Sequence, residues 1–378
     1  MEAMIEKIDL KNLDKSTWQT YRFDEIAQKI SKTVKPQEAE VDIYVGLEHI
    51  DGEDVHIRRK GAPADVKGGK LRCYPGDVIF GKRRAYQRKA AIVDFDGICS
   101  AHAFVFRANP EIMVPELFPF FLHSDEFMHR MVDISVGGLS PTINWGDLKH
   151  QEFLLPPKAE QTRLAKLLWA MDEVIEREKV VLEKIELSFL SYSKSVFSSR
   201  KGTKKQLYTI GQLIMGQSPP GSTYNENEEG MPFLQGNAEF GEKYPSHIKC
   251  TTSPNKVVER NTILISVRAP VGDLNIADKN YCIGRGLAGL YIENHSLRDY
   301  VYNFLKYAKQ ELERNSTGST FKAINKDILS SLKFVIPDEN TLESNSAKLN
   351  SILGTKELQK DMIEKSQSLQ KSLINQVF

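Results

Sequence analysis

The chain repeats itself at long range, and this restricts its fold more than any other feature. Residues 135–197 align on residues 316–378 at an offset of 181 with no gap, and 15 of the 63 positions are identical. The identities include Ser135/Ser316, Gly137/Gly318, Ile143/Ile324, Asn144/Asn325, Leu148/Leu329, Phe153/Phe334 and Pro156/Pro337. Both copies end on Val-Phe, at Val196-Phe197 and Val377-Phe378. The repeat extends upstream more loosely: residues 76–80 precede Arg83 much as residues 261–265 precede Arg268. A period of this length is far above that of a solenoid and matches a domain-sized module present twice.

Each module opens in short apolar runs bounded by Gly, Asp, Asn and Pro, which read as strands: 41–45, 78–80 and 103–106 in the first, 290–292 in the second. Helical patterns intervene at 115–131 and 297–314. Each module then closes in a long helix. In the first, Leu168, Ile175, Leu182, Phe189 and Val196 fall seven apart. Met171, Ile185 and Tyr192 follow three residues on, and Glu178 is the polar exception in that seam. In the second, Leu349, Ile352, Ile363, Leu373 and Val377 keep the register while Lys356, Gln359, Ser366 and Gln370 do not. A helix of some 40 residues is about 60 Å long, far beyond the ~13 Å radius of gyration of a 100-residue domain. The second helix can pack on the first only by running back. The expectation is therefore an α+β fold of two domains in tandem pseudo-repeat, each followed by a long helix, with the helices paired as an antiparallel coiled coil and a domain at each end. Two amphipathic helices, each packed on its own domain, are the other reading of the same stripe. The borders fall at 1–157, 158–202, 203–337 and 338–378.

Composition excludes several classes. Of 378 residues, 40% are hydrophobic and 27% charged, as in ordinary globular domains. No apolar run is long enough to span a membrane, and the N-terminus lacks the apolar core of a signal peptide, so a cytoplasmic chain is expected. Cys73, Cys99, Cys250 and Cys282 form no CxxC pair and read as buried, reduced thiols. There is no phosphate-binding GxxxxGK[ST], no HExxH, no histidine spacing suited to a metal and no Asn-Pro-Pro-Tyr or Asp-Pro-Pro-Tyr of an amino-methyltransferase. The expectation is a chain with no catalytic residue, no metal and no cofactor of its own.

Net charge is only +1, but its distribution is uneven. Arg58, Arg59, Lys60, Lys67, Lys70, Arg72, Lys82, Arg83, Arg84, Arg88 and Lys89 are opposed within that run only by Asp65 and Asp77. A local excess of this kind can neutralise phosphates even in a near-neutral chain.

These features together resemble a known family. Leu154-Leu155-Pro156-Pro157, followed by Glu160-Gln161 and a long helix, is similar to the central region of type I restriction-modification specificity subunits. So are Ser218-Pro219-Pro220, Tyr224-Asn225, Pro232-Phe233-Leu234-Gln235-Gly236 and Cys282-Ile283-Gly284-Arg285-Gly286-Leu287-Ala288. Two departures stand out. Ile336-Pro337-Asp338-Glu339 lacks the following Glu-Gln, and the first domain has Cys99-Ser100-Ala101-His102 where the second has its Gly-Arg-Gly loop. The resemblance implies two target-recognition domains that read the halves of a split duplex DNA target. It also implies two methyltransferase subunits that carry S-adenosylmethionine, and restriction/translocase subunits, with ATP and Mg, that can join. Two other readings remain open: an orphan specificity-like DNA-binding protein, and a coiled-coil scaffold without a restriction partner.

On this reading the DNA contacts of the first domain are sought at Lys82, Arg83, Arg84, Gln87, Arg88 and Lys89, beside Tyr86, and at Arg58, Arg59 and Lys60 for phosphate. In the second they are sought at Tyr224, Asn225, Asn237, Lys243, Tyr244, Arg268, Arg285 and Lys322. Gly284 and Gly286 allow either close approach of backbone to DNA or tight internal packing.

Overall fold

The computed structural model of the protein describes residues 15–316 and 323–378. Lys322 and its loop, 318–322, lie outside the described residues. The chain divides by packing into one unit of residues 1–179 with 361–378 and another of residues 180–360. The sequence borders give each long helix a segment of its own. By packing, about half of each long helix falls in each unit, with its apolar seam buried in that unit's core.

In the first unit one sheet runs in the order Ala27–Lys29, Ala103–Ala108, Val78–Gly81, Ala90–Ile92. A second runs Thr33–Val34, Lys70–Cys73, Gly97–Cys99, Tyr44–Val45, its last pair parallel. Gln19–Arg22 pairs with Glu152–Leu155 just before the long helix. The core is aromatic: Phe23, Phe80, Phe106, Phe118, Phe121, Phe127 and Phe153 are buried together, with Phe23 and Phe106 edge to face at 5.0 Å. The expected strand at 41–45 contracts to Tyr44–Val45. The expected helix at 115–131 is two helices, Phe118–His123 and Asp125–Asp133. Ser124 separates them in extended conformation and caps the second, its Oγ accepting from the Phe127 amide.

The second unit repeats this plan, with a fifth strand in its second sheet. Gln212–Met215, Leu287–Tyr291, Ile263–Ser266 and Leu274–Ile276 form the first sheet. Tyr224–Asn225, Lys249–Thr251, Met231–Leu234, Tyr281–Ile283 and Val257–Val258 form the second. Thr203–Gln206 pairs with Lys333–Ile336 as Gln19–Arg22 does with Glu152–Leu155. The helix His295–Asn315 is capped by Asn294, whose Oδ1 accepts from the Leu297 amide.

The long helices are Lys158–Phe197 and Glu339–Val377. Within the first unit Leu168, Ile175, Ile363, Leu373, Ile374 and Val377 are buried, and Gln370 Nε2 donates to the Leu168 carbonyl at 3.2 Å. Within the second, Phe189, Val196, Leu342 and Leu349 are buried, while Leu182, Ile185, Tyr192 and Ile352 are half-buried. There Tyr192 donates to Asn345 at 2.9 Å and Lys356 pairs with Glu186 at 2.7 Å. Partner numbers fall on one helix as they rise on the other, so the pairing is antiparallel. Lys356 and Gln370, which break the apolar register, supply polar ties across it. At the start of the first helix Gln161 is buried. Its amide accepts from the Val114 N–H at 2.8 Å and donates to the carbonyls of Ile112 and Pro156, each at 2.9 Å. That is the structural use of the Glu160-Gln161 step. No helix among the described residues is long and apolar enough to cross a membrane.

Candidate nucleic-acid interface

The run of cations that dominates the sequence is split in two by its tertiary partners. Arg58 grips Glu176 with both terminal nitrogens, at 2.6 and 2.7 Å, and also reaches Asp54. The Arg58 bonds hold the Glu176 carboxyl at about 2. Arg59 pairs with Asp51 at 2.6 Å, and Lys60 with Asp94 at 3.1 Å while lying over the Phe95 ring. Arg88 is only 17% exposed; it pairs with Glu53 and Asp125 and donates to the His123 carbonyl at 2.8 Å. Lys89 donates to the Leu47 carbonyl at 2.6 Å. Arg58, Arg59, Lys60, Arg88 and Lys89, sought above as DNA contacts, thus each have a partner within the protein. Their acceptors come from outside the run, where a local charge count does not see them.

Of the charged candidates in the run, Lys82, Arg83 and Arg84 have neither a carboxylate nor a backbone-carbonyl partner among the described residues. Lys82 is half-buried, 5.3 Å from the Phe104 ring. Burial, then Lys29 and Arg83, pushes its ammonium below the usual lysine range. His102 stands beside them, its Nε2 3.4 Å from Arg83 Nη1. Burial, then Arg83, Lys82 and Lys70, pushes its imidazole below the usual range. Every charged group that shifts Lys82 or His102 is a cation, so the field here is positive without compensation.

The backbone fixes this surface. Arg84 and Arg88 are left-handed, at φ 54° and 52°, and bracket a single turn, Ala85–Gln87, that leaves Tyr86 and Gln87 outward. The Arg84 amide donates to the Pro141 carbonyl at 2.8 Å, the Ile143 amide donates to the Lys82 carbonyl at 2.9 Å, and Arg83 is bridged to Thr142. Non-glycine residues in this region cost energy and gather at functional sites.

The second domain repeats the arrangement. Arg268 is exposed and bridged to Ala323, and the Ile324 amide donates to the Val267 carbonyl at 3.0 Å. Ala323 and Ile324 are the repeat partners of Thr142 and Ile143. On the neighbouring strand end Arg285 is exposed between two buried glycines. A Cβ at Gly286 would lie 2.6 Å from the Gln235 carbonyl oxygen, and one at Gly284 3.1 Å from Gln235 Cα. Internal packing, not approach to DNA, is thus why glycine flanks Arg285. Lys243, near the Tyr244 ring at 5.3 Å, and Tyr244 itself also face outward.

Three candidates in this domain have partners within the protein. Tyr224 stacks on Phe233 at 4.9 Å and donates to the Pro219 carbonyl. Asn225 closes a turn with Glu229. Asn237 donates to Asp273, which Lys309 also holds. Sequence reasoning missed Lys29 and His102 because neither belongs to the charged run. His102 had a signal, since it falls where the first domain departs from the Gly-Arg-Gly loop.

Among the described residues one cluster has metal-ligand types, with His56, Asp172 and Glu176 donors within 4.8 Å of one another. Arg58 and Lys179 already occupy Glu176, and His56 is paired with Asp172 at 2.8 Å. The cluster is a charge network fastening the first domain to the helix.

The family model described as the type I restriction modification DNA specificity domain matches residues 15–187 and again 202–365. The chain is similar to the "Putative type I restriction enzyme MjaX specificity subunit" of Methanocaldococcus jannaschii. The two are 31% identical over 352 residues, 85% of this chain and 83% of the relative. It is also similar to the type I restriction enzyme EcoDI specificity subunit of Escherichia coli, 29% identical over 170 residues, 43% of this chain and 37% of the relative. A solved chain from work on complex assembly and conformational transition of the type I R-M system superposes with a TM-score of 0.64. Its identity is 28%, and 95% of this chain and 97% of that one are covered. The type I restriction-modification system S subunit from M. genitalium shares the fold, with a TM-score of 0.61 at 16% identity over 97% of this chain and 98% of that one. The chain belongs to the family of the type I restriction modification DNA specificity domain and carries that domain twice.

Proposed function

We propose that this chain reads a bipartite duplex DNA target for a type I restriction-modification complex, one half-site per domain, and leaves the chemistry to its partners. The observation that carries this reading is the recurrence of one site in both domains. Arg83 and Arg268 are each exposed, free of carboxylates among the described residues, and held by backbone bonds to the same position of the repeat. A guanidinium presented in this way offers the forked donors that guanine O6 and N7 or a phosphate accept. The neighbours differ, with Lys82 and His102 in one domain and Arg285 in the other, which favours two unlike half-sites. Exposed Leu187, Leu190 and Leu358 on the long helices support docking of partner subunits. We take these to be two methyltransferase subunits that bring S-adenosylmethionine, joined by restriction/translocase subunits that bring ATP and Mg, in the cytoplasm.

The test is reconstitution. The purified chain alone is expected to transfer no methyl group. Addition of the methyltransferase subunit and S-adenosylmethionine is expected to give methylation at one split sequence, mapped by methylome sequencing. Arg83→Ala and Arg268→Ala should each relax one half of that sequence. Robust methylation by the chain free of partner overturns the reading.

A further inference from the structure

Beside the cations and the outward Tyr86 and Gln87 around Arg83 stands an imidazole. His102 is exposed, lies in the turn just before the strand Ala103–Ala108, and its Nε2 accepts from Arg83 Nη1 at 3.4 Å. Burial and the charges of Arg83, Lys82 and Lys70 favour its neutral form. Cations in such a patch are drawn to phosphate whatever the sequence. A neutral imidazole gains little from phosphate; with Nε2 turned to Arg83, its Nδ1–H is left to donate to an acceptor on a base edge. The guanidinium beside it has no carboxylate to satisfy, so the pair is fixed by its own contact and by the backbone bridge of Arg83 to Thr142.

The second domain shows the same position built differently. Gly81 pairs with Ala103 and Ser266 with Leu287, so His102 and Gly286 stand one step before equivalent strands. Position 286 is closed to any side chain by the Gln235 carbonyl. The exposed side chain there is carried one residue earlier, on Arg285. One turn of the repeat thus presents an imidazole beside Arg83 in the first domain and a guanidinium in the second, where the Val267 amide, one residue before Arg268, donates to the Gly286 carbonyl at 2.9 Å.

We propose that His102, oriented by Arg83, reads a base edge in the half-site of the first domain, and that this turn, with His102 in one domain and Arg285 in the other, makes the two half-sites differ. The proposal rests on the reading of the chain as a DNA specificity subunit. The full chain is assembled with its methyltransferase partner and S-adenosylmethionine and offered a duplex library randomised across both half-sites; the methylated fraction is sequenced. His102→Ala is expected to lose about tenfold in discrimination at one or two positions of a single half-site, with the other half-site unchanged. The slope of log affinity against log salt should also stay unchanged. His102→Gln, which keeps a donor and an acceptor, should retain part of the preference. Arg285→Ala should relax the other half-site only. His102 is exposed, so the melting temperature and the assembly with partner should be those of the wild type. Unaltered base preferences in His102→Ala overturn the proposal. So does equal weakening on every sequence with a shallower salt slope, which would mark a phosphate contact. A wild-type complex with no preference at either half-site would overturn the underlying specificity reading, and the proposal with it.

Discussion

Arg83, Arg84 and Arg88 lie within six residues of one another, yet the structure gives them opposite roles, and their substitution should separate cleanly. Arg88 is mostly buried and holds Glu53, Asp125 and the His123 carbonyl. Charge-assisted hydrogen bonds contribute about 1.5–3 kcal/mol each. Glu53 and Asp125 are partly exposed and regain water when the guanidinium leaves, so the sum must be discounted to about 2–3 kcal/mol. For a unit of this size that lowers Tm by roughly 4–12 °C. Arg83 and Arg84 are exposed and have no carboxylate partner, so the double variant Arg83→Ala, Arg84→Ala should melt with the wild type. Its effect should appear in DNA binding. Each lost phosphate contact lowers the slope of log affinity against log salt by about 0.9, so the double variant should lose up to about 1.8. The assays are thermal melting of the chain and a salt titration of duplex binding by the assembled complex. If Arg88→Ala flattens the salt slope with Tm unchanged, or the double variant melts early with its slope intact, the division of the run by tertiary partners is wrong.

Gln161→Ala should destabilise the first unit by about 3 kcal/mol, because it strands the Val114 amide and the Ile112 and Pro156 carbonyls against buried surface; a loss under about 1 kcal/mol in denaturant melts would show the loop holding itself. The His56 imidazole is raised above its usual value chiefly by its bond to Asp172. A raised folded value gives stability that is complete below the unfolded value of 6.5 and is lost as pH rises through the folded one. Melting temperature is therefore expected to fall on going from mildly acidic to mildly alkaline buffer, with that component absent in His56→Gln; identical pH profiles for the two proteins would exclude the coupling.

Periodic features were legible in the sequence because they need no knowledge of remote partners. The offset of 181 made two modules, the heptads made two long helices, and the order of runs made an α+β domain. The structure kept these, since burial of an apolar stripe follows from spacing alone. Lys29 and His102 were not legible, and neither was the internal service of Tyr224, Asn225 and Asn237. Asn237 depends on Asp273 and His102 on Arg83, groups 36 and 19 residues away that folding brings within 3.5 Å, whereas Tyr224 and Asn225 bond groups five and four residues away that no periodicity marks. The charged run makes the difference plain. By sequence its eleven cations faced two acids. Folding supplied Asp51, Asp54, Glu53, Asp94, Asp96, Asp125 and Glu176 from elsewhere, and left Lys67, Lys70, Lys82, Arg83, Arg84 and Lys89 without carboxylate partners among the described residues. The sequence by itself determined that the protein is one module used twice with helices between and after. Tertiary structure alone decided which charges are paired within the protein, because a charge is neutralised by whatever stands within a few ångströms of it, and nearness in space is not nearness along the chain.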